Sequence, residues 1–379
     1  MKGLLAIIIA LFFFFFFLKS CEIYEEDPDF PSTDFISEGA YMGEYWPTSE
    51  WRKCAPEEVG MNAKTLRELN EEIILLMELH VDIHSVLIVK NGYIIAEQYY
   101  SEEYVEETLH PIASCTKSIT SALFGIALEK GYIQGVDQPM VDFFPEYEVQ
   151  NLLDQKESIT LEHMLTMSPG LEWYEMEYLY SDERNTFRQW INNGGGIQFV
   201  IDRPMVAAPG EVYSYNTGVS HVLSAILQKV SGTRTDSFAL KHLFEPLGID
   251  SYYWPVDGGG IAYGGSSMRM TPRDMARFGY LYLRGGLWDG ERIIPQDWVE
   301  RSQQQLIQRR YIEDYYYGYH WWVSDSNTYS AVGYGGQWIT IIPEHDLVVV
   351  FTNGFAEGEE LQLSTPERII NTYILPSLL

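Results

Sequence analysis

Two residues three positions apart, Ser114 and Lys117 in HPIASCTKSITSALFG (110–125), have the types and spacing of a nucleophile beside its own base. The segment reads as an extended stretch ending near Pro111, followed by a helix from 114 to 130. Ala122, Leu123, Ile126 and Ala127 form the apolar face of that helix. Ser114 then falls in the first helical turn, and Lys117, one turn on, lies on the same face. An acylating serine needs a base within reach, a proton donor for the leaving group and an oxyanion hole. The amide of Ser114 is a ready oxyanion donor, because the first N–H groups of a helix have no intrahelical partner and sit at its positive end. Lys117 can act as a base only where burial or a neighbouring cation lowers its pKa. The ordinary alternative is a helix start, with Ser as N-cap and Lys as an exposed helical residue.

Two further stretches hold the other parts such chemistry requires. In PGEVYSYNTGVSHVLSAI (209–226), Tyr215-Asn216-Thr217 immediately precedes a helix. Tyr215 offers a phenol for proton shuttling, and Asn216 or Thr217 offers a hydrogen bond to Lys117 or to substrate. A tyrosine packed in a turn is the plain alternative. In AVGYGGQWITII (331–342), Gly333, Gly335 and Gly336 lead into a strong strand. Glycines at a strand entry mark a close approach of another backbone or a ligand. The Gln337 N–H is the expected second oxyanion donor, against the alternative of a plain glycine-rich β-turn.

The elements around these residues suggest how they meet. KTLRELNEEIILLMELH (64–80) has helical period, and SVLIVKNGYIIAEQYY (85–100) reads as a hairpin turning at Asn91-Gly92. Further helices are expected from 158 to 168, from 218 to 231, and from 271 to 284, the last opened by Thr271, Pro272 and Asp274. From 315 onward short aromatic and β-branched runs return, and TPERIINTYILPSLL closes the chain as a helix. Strands lie at both ends and helices between them. The expected fold is therefore mixed α/β of the α+β type. Both termini build one antiparallel sheet flanked by the N- and C-terminal helices, with a mainly helical subdomain (about 120–270) inserted and a cleft where the halves meet.

The start of the chain reads differently. Lys2 precedes an apolar run from Leu4 to Leu18, shorter than the roughly 20 residues of a membrane span but right for a signal peptide, assigned to residues 1–20. Leu18-Lys19-Ser20-Cys21 resembles a bacterial lipobox, except for Lys19, and makes Cys21 the expected lipidated residue. An acidic, proline-containing tether (21–54) then leads to a domain over 55–379, placing the protein in the cell envelope, anchored to the membrane by lipid. A net charge of −29 argues against nucleic acid and against anionic lipid as surface partners. Cys54 and Cys115 have no spacing that demands a disulfide, and Cys115 reads as a packing residue. His80 and His84 stand four apart without a metal-binding context, so no metal or organic cofactor is expected.

The order of the three motifs, together with HSVLIVKNGYIIAEQYY, ITLEHMLTMSPGLEW, GGSSMRMTPRDMARFGYLYLRGGLWDG and GGQWITIIPEHDLVVVFTNG, resembles the β-lactamase-related serine hydrolases. That group includes class C β-lactamases, penicillin-binding D,D-peptidases, esterases and nylon-oligomer hydrolases. The resemblance runs from about Ala55 to the C-terminus. It implies Ser114 as nucleophile, Lys117 as its paired base and Tyr215 as the tyrosine that assists proton transfer, with Lys117 or Tyr215 as the base proper left open. Thr217 stands where the group usually has an Asn that contacts substrate, and Tyr334-Gly335-Gly336 takes the place of Lys-Thr-Gly or His-x-Gly. A phenol in place of a cation removes a charge partner worth about 1.5–3 kcal/mol from a carboxylate-bearing substrate such as a β-lactam. Hydrolysis of an ester or amide in a small molecule or peptide, through an acyl-enzyme, is the implied activity. A non-catalytic peptide- or glycan-binding module on the same fold is the competing expectation. A Ser-His-Asp α/β-hydrolase is disfavoured, because no Gly-x-Ser-x-Gly elbow occurs and strands do not alternate with helices.

Overall fold

Asn91 and Gly92 both adopt positive φ (52° and 84°), the geometry of the two-residue turn that matches strand twist. They join β1 (Ile83–Lys90) to β2 (Tyr93–Tyr99) in an antiparallel hairpin. The computed structural model describes residues 35–152, 154–309, 315–356 and 361–379. Its other long-range strands all come from the C-terminal third: β3 (Ile307–Gln308), β4 (Tyr315–Tyr317), β5 (Trp322–Ser324), β6 (Tyr329–Gly333), β7 (Gln337–Ile342) and β8 (Leu347–Asn353). The eight strands form one antiparallel sheet in the order β2-β1-β8-β7-β6-β5-β4-β3. Its seam joins the two ends of the chain, with Val86 opposite Phe351 and Ile88 opposite Val349. Every residue of β7 and β8 is buried, so both faces of the central strands are covered. Hence those strands read as near-continuous apolar runs rather than as alternating ones.

Five longer helices frame the sheet: α1 (Ala63–Glu78), α2 (Thr116–Glu129), α3 (Thr217–Ser231), α4 (Pro272–Leu283) and α5 (Leu361–Ile369). Capping side chains start three of them: Asn62 for α1, Asn216 for α3 and Thr271 for α4. Helix α4 lies against the sheet where Gly279 faces Val348 and Ile339. Helix α1 packs on the segment that follows α5, and the Trp338 indole N–H donates to Gln362 O, tying α5 to β7. Helices α2 and α3 pack on each other. Residues 116–127 of α2 and 217–227 of α3 are buried all round. Polar side chains on these two helices are therefore held away from water and must find partners inside the protein.

The sheet meets the expectation of strands from both termini with helices between. The tether does not hold over its second half. Residues 35–54 pack along the outer edge of β2, where Ser37 N donates to Ile95 O and Glu97 N to Phe35 O (both 2.9 Å). Phe35, Ile36, Trp51 and Cys54 are buried, and the rings of Tyr41 and Tyr45 lie 5.0 and 4.8 Å from that of Tyr93. Two effects outweigh the acidic composition: an edge strand leaves main-chain groups open to pairing, and aromatic side chains bury large apolar area. The signal-peptide assignment, Cys21 and the tether up to residue 34 lie outside the described residues. Among the described residues, no helix is long and apolar enough to cross a membrane.

Candidate active site

Ser114 sits in a 3₁₀ turn, Ala113–Cys115, that runs directly into α2, one turn earlier than the α-helix proper. The turn is pinned on both sides. Ile112 N donates to Met268 O (2.9 Å), and the Thr116 hydroxyl donates to Ala113 O (2.6 Å). Ala113 is held at φ 45°, a left-handed conformation that an alanine adopts only under constraint from its surroundings. This kink turns Ser114 outward from an otherwise buried helix, onto a cavity of about 210 Å³.

Lys117 is 1% exposed, and its ammonium nitrogen has three neighbours: Ser114 Oγ at 3.0 Å, Thr217 Oγ1 at 2.9 Å and Gly265 O at 2.7 Å. The proton inventory of this set is constrained. Gly265 O can only accept. Thr217 donates its hydroxyl to the Glu175 carboxylate (2.6 Å), so toward Lys117 its oxygen can only accept. Both require an N–H from Lys117. A neutral amine has two N–H bonds and one lone pair, and the lone pair is left facing the Ser114 hydroxyl. Burial pushes the Lys117 pKa down to about 8, against an opposing pull from Glu175. The neutral form is thus accessible near physiological pH, and its geometry is that of a base for Ser114.

Glu175 was not legible in the sequence as a site residue. It is 1% exposed, and four donors saturate its carboxylate: the Trp173 indole and Thr217 N (2.8 Å each), the Thr217 hydroxyl and the Tyr180 phenol (3.0 Å). Its hydrogen bonds reach Ser114 through Thr217 and Lys117, which makes it a positioning residue. Glu175→Gln removes the charge that raises the Lys117 pKa and sets an amide NH₂ among donors. The expected result is an acid limb of the rate profile shifted to lower pH, together with a lowered Tm. An unshifted limb with only a lowered Tm would reduce Glu175 to a structural role.

Tyr215 is buried with its phenol reaching the Ser114 hydroxyl, and Lys117 Nζ lies 4.6 Å from the centroid of its ring. Desolvation holds the Tyr215 pKa well above its ordinary value, so the phenol keeps its proton. Ser114, Lys117, Tyr215 and Thr217 are brought together. Asn216 is not. It is fully buried as the N-cap of α3, its Oδ1 accepting from Val219 N (3.1 Å), and it does not line the cavity. Thr217 meets the first of the two partners expected for it, Lys117 (2.9 Å), and it does not line the cavity either.

The glycine-rich entry also differs from expectation. Gly333 passes so close to the Ser114 turn that a side chain there would collide with Ile112 O and lie 3.1 Å from Ser114 N. The approaching backbone foreseen at these glycines is thus, at Gly333, that of the Ser114 turn. Val332, Gly333 and Tyr334 line the cavity, whereas Gly335, Gly336 and Gln337 do not. Gly335 and Gly336 form the turn between β6 and β7, both at positive φ. Gln337 opens β7 inside the sheet, and its side chain is consumed by Asn353, accepting from its N–H (3.1 Å) and donating to its carbonyl (2.6 Å). Gln337 pairs with Gly333 at the start of β7 and does not line the cavity, where the expected second oxyanion donor would stand.

The remaining cavity wall comes from Met176, Tyr178, Leu179, Tyr180, Trp322 and Leu363, with Glu175 and Gln362 beside them, none of which had a sequence signal of its own. Tyr334 meets Tyr180 edge to face at 5.3 Å across the cavity. Cys54 and Cys115 are buried free thiols, and the Cys115 thiol donates to Gln337 O. His84 hydrogen-bonds His110 (2.8 Å) and Asp82 (3.1 Å). Among the described residues no group of three or more His, Cys, Asp or Glu side chains is disposed to hold a metal ion.

Comparison with known proteins places this site in context. The family model described as Beta-lactamase matches residues 77–369. A 6-aminohexanoate-dimer hydrolase of Paenarthrobacter ureafaciens is 24% identical over 288 residues, 70% of each chain. The solved structure of a Bacillus anthracis protein, provisionally assigned as a 6-aminohexanoate-dimer hydrolase, superposes with a TM-score of 0.66 at 22% identity, covering 80% of this chain and 81% of the other. EstCE1, a hydrolase with promiscuous acyltransferase activity, superposes with a TM-score of 0.65 at 16% identity, covering 82% of this chain and 97% of the other.

Proposed function

The chain belongs to the Beta-lactamase family, whose members are serine hydrolases, and from that premise we propose that it hydrolyses an ester or amide through an acyl-enzyme on Ser114. The observation that carries this reading is the hydrogen-bond set of Lys117, which leaves the lone pair of a neutral amine for the Ser114 proton. Lys117 takes that proton as Oγ attacks the carbonyl carbon. The Ser114 amide and the Tyr334 amide, next in the chain after Gly333, hold the developing oxyanion. The proton passes by way of Tyr215 to the leaving nitrogen or oxygen as its bond to carbon breaks. Water then repeats the attack on the acyl-enzyme and releases the acid.

The cavity wall supports an uncharged, largely apolar acyl group. Met176, Leu179, Trp322, Val332 and Leu363 supply apolar surface, and Tyr334 adds a phenol where the resemblance to the family implies a cation in other members. Efficient β-lactam hydrolysis is therefore not expected. A relative named for hydrolysing a 6-aminohexanoate dimer supports extending the substrate class to amides. Intact-mass spectrometry after treatment with a fluorophosphonate tests the reading. One adduct per chain, located on the Ser114 peptide, is expected, and a chain that stays unmodified would leave the binding-module alternative.

The location proposed is the bacterial cell envelope, with the enzyme held by a lipid on Cys21. The apolar run Leu4–Leu18 followed by Leu18-Lys19-Ser20-Cys21 supports it. Cells expressing the full chain should incorporate labelled palmitate into the protein, and Cys21→Ser should abolish incorporation. Equal labelling of both forms would remove the anchor.

A further inference from the structure

Two buried histidines meet at the entry to the Ser114 turn, and the mechanism uses neither. His84 lies near the start of β1, and His110 stands four residues before Ser114. His110 is 2% exposed and His84 9%. Both belong to one chain of hydrogen bonds. His110 Nδ1 lies 2.9 Å from Pro111 O, His110 Nε2 lies 2.8 Å from His84 Nδ1, and His84 Nε2 lies 3.1 Å from an oxygen of the exposed Asp82 carboxylate. The Tyr104 ring covers both imidazoles, stacked on His84 at 4.6 Å between centroids and 4.4 Å from His110. Gly354, which follows β8, packs so close that a side chain there would collide with the Asp82 carboxylate and the His84 ring. Its N–H donates to Asp82 O (2.8 Å). The other charged groups facing this cluster are Arg269, near His110 and Tyr104, and Glu103, near Tyr104.

Both ends of this chain can only accept, because one is a carbonyl and the other a carboxylate. Its three hydrogen bonds therefore require three N–H groups on the four ring nitrogens. Two neutral imidazoles carry two, so the chain closes only with one extra proton. Burial pushes the His110 pKa down to about 4, which leaves the extra proton to His84, beside Asp82. His110 then stays neutral, with its hydrogen on Nδ1 and directed at Pro111 O. Pro111 and Ile112 lead into Ala113, whose φ of 45° persists only while its surroundings over-determine it. We propose that Asp82, His84 and His110 are positioning residues that hold one extra proton among them, fixing His110 as a donor to Pro111 O and so steadying the turn that presents Ser114. The proposal rests on the hydrolase reading above only for its effect on rate. When rising pH removes the proton, two N–H groups remain for three bonds. Either Asp82 then faces a lone pair or His110 gives up Pro111 O. The stabilisation is thus present at low pH and lost as the pair gives up its proton.

Long-range proton–nitrogen correlation spectra of the histidine-labelled full-length protein read the hydrogen on each ring nitrogen. They are recorded from pH about 5 to about 8, the range in which imidazoles change charge. The parent should show His84 with both nitrogens protonated at the lower end and His110 with its hydrogen on Nδ1. Two neutral rings at the lower end, or His110 with its hydrogen on Nε2, would overturn the proposal. In Asp82→Asn the amide can donate to a neutral His84, so the chain closes without the extra proton. That variant should lose the proton of His84 at lower pH than the parent and keep His110 protonated on Nδ1. An unchanged titration of His84 would overturn the role of Asp82. His84→Phe keeps a ring against Tyr104 and removes the donor to His110. Amide exchange across Ala113–Thr116 should then speed up by about tenfold relative to β8. Fluorophosphonate labelling of Ser114 should slow by about tenfold, as for a displaced reacting group. The acid limb near 8 should stay in place, because Lys117 is untouched. A lowered Tm with exchange at the turn and labelling as in the parent would reduce the pair to a structural role and overturn the proposal. Should the parent itself not be labelled, the hydrolase reading falls, and the spectra and the exchange still decide this one.

Discussion

Ser114→Ala is expected to lower kcat by about 10⁴-fold or more, in line with the loss of an enzymatic serine nucleophile. The same substitution should eliminate the fluorophosphonate adduct while leaving the fold intact. The side chain of Ser114 faces the cavity and bonds only groups of the site itself. Its removal leaves Lys117 tied to Thr217 and Gly265, and Tyr215 packed between Lys117 and Trp322. The Tm should therefore stay close to the parent's, because no core volume is lost and the donors released are one N–H of a charged Lys117 and the phenol of Tyr215, a residue that lines the cavity. Activity at the parent's level in Ser114→Ala would sink the assignment of the nucleophile. A parent that binds acyl ligands but never forms an adduct would instead favour the non-catalytic binding module.

Lys117→Met should lower kcat by about 10²–10⁴-fold and remove the pH dependence that the lysine imposes. The sign follows from the depressed pKa. Below about 8 the buried amine is mostly protonated and has no lone pair for Ser114, so activity rises with pH. Above about 8 the neutral form dominates, and the profile levels off. In Lys117→Met that acid limb should vanish along with most of the rate. Met matches the length of the aliphatic stem, but it leaves Gly265 O and Thr217 Oγ1 without their donor, so a melt must accompany the kinetics. A limb near 8 that persists in Lys117→Met would move the role of base to another group. Tyr215 would be a poor candidate for it, because burial keeps its phenol protonated.

Much of the frame was legible because the signals are local. Asn91-Gly92 specifies a turn through its own φ preference, and the runs around it need only pair with each other. Ser114 and Lys117 share a helical face through spacing alone, and their contact at 3.0 Å follows from helix geometry. Tyr215 precedes a helix start that its neighbours announce, and Asn216 proves to be the cap itself rather than a substrate contact. The residues 35–54 were misread because composition argues for solvation, whereas the decisive factor is the open edge of β2, formed by residues about forty to sixty positions away in the chain. Gln337 lies off the cavity for a similar reason: a glycine-rich turn announces a close approach without saying which of its residues will line the cavity.

Glu175 shows where sequence reasoning stops. Glu172, Glu175 and Glu177 stand within six residues of irregular chain, and no period or cap distinguishes them. One pairs with Arg203, one holds the Thr217–Lys117 relay, and one is exposed. By itself the sequence determined the chemistry available on each short segment: a serine and a lysine one helical turn apart, a tyrosine at a helix entry, glycines at a strand entry, and strands at both ends of the chain. Only the tertiary structure decided which proton each of these groups holds. That depends on Thr217, Gly265 and Glu175 reaching Lys117 from distant segments, and on the exclusion of water by α2 and α3 packed together. A pKa is set by desolvation and by neighbours in space, and neither is written in the order of residues along one segment.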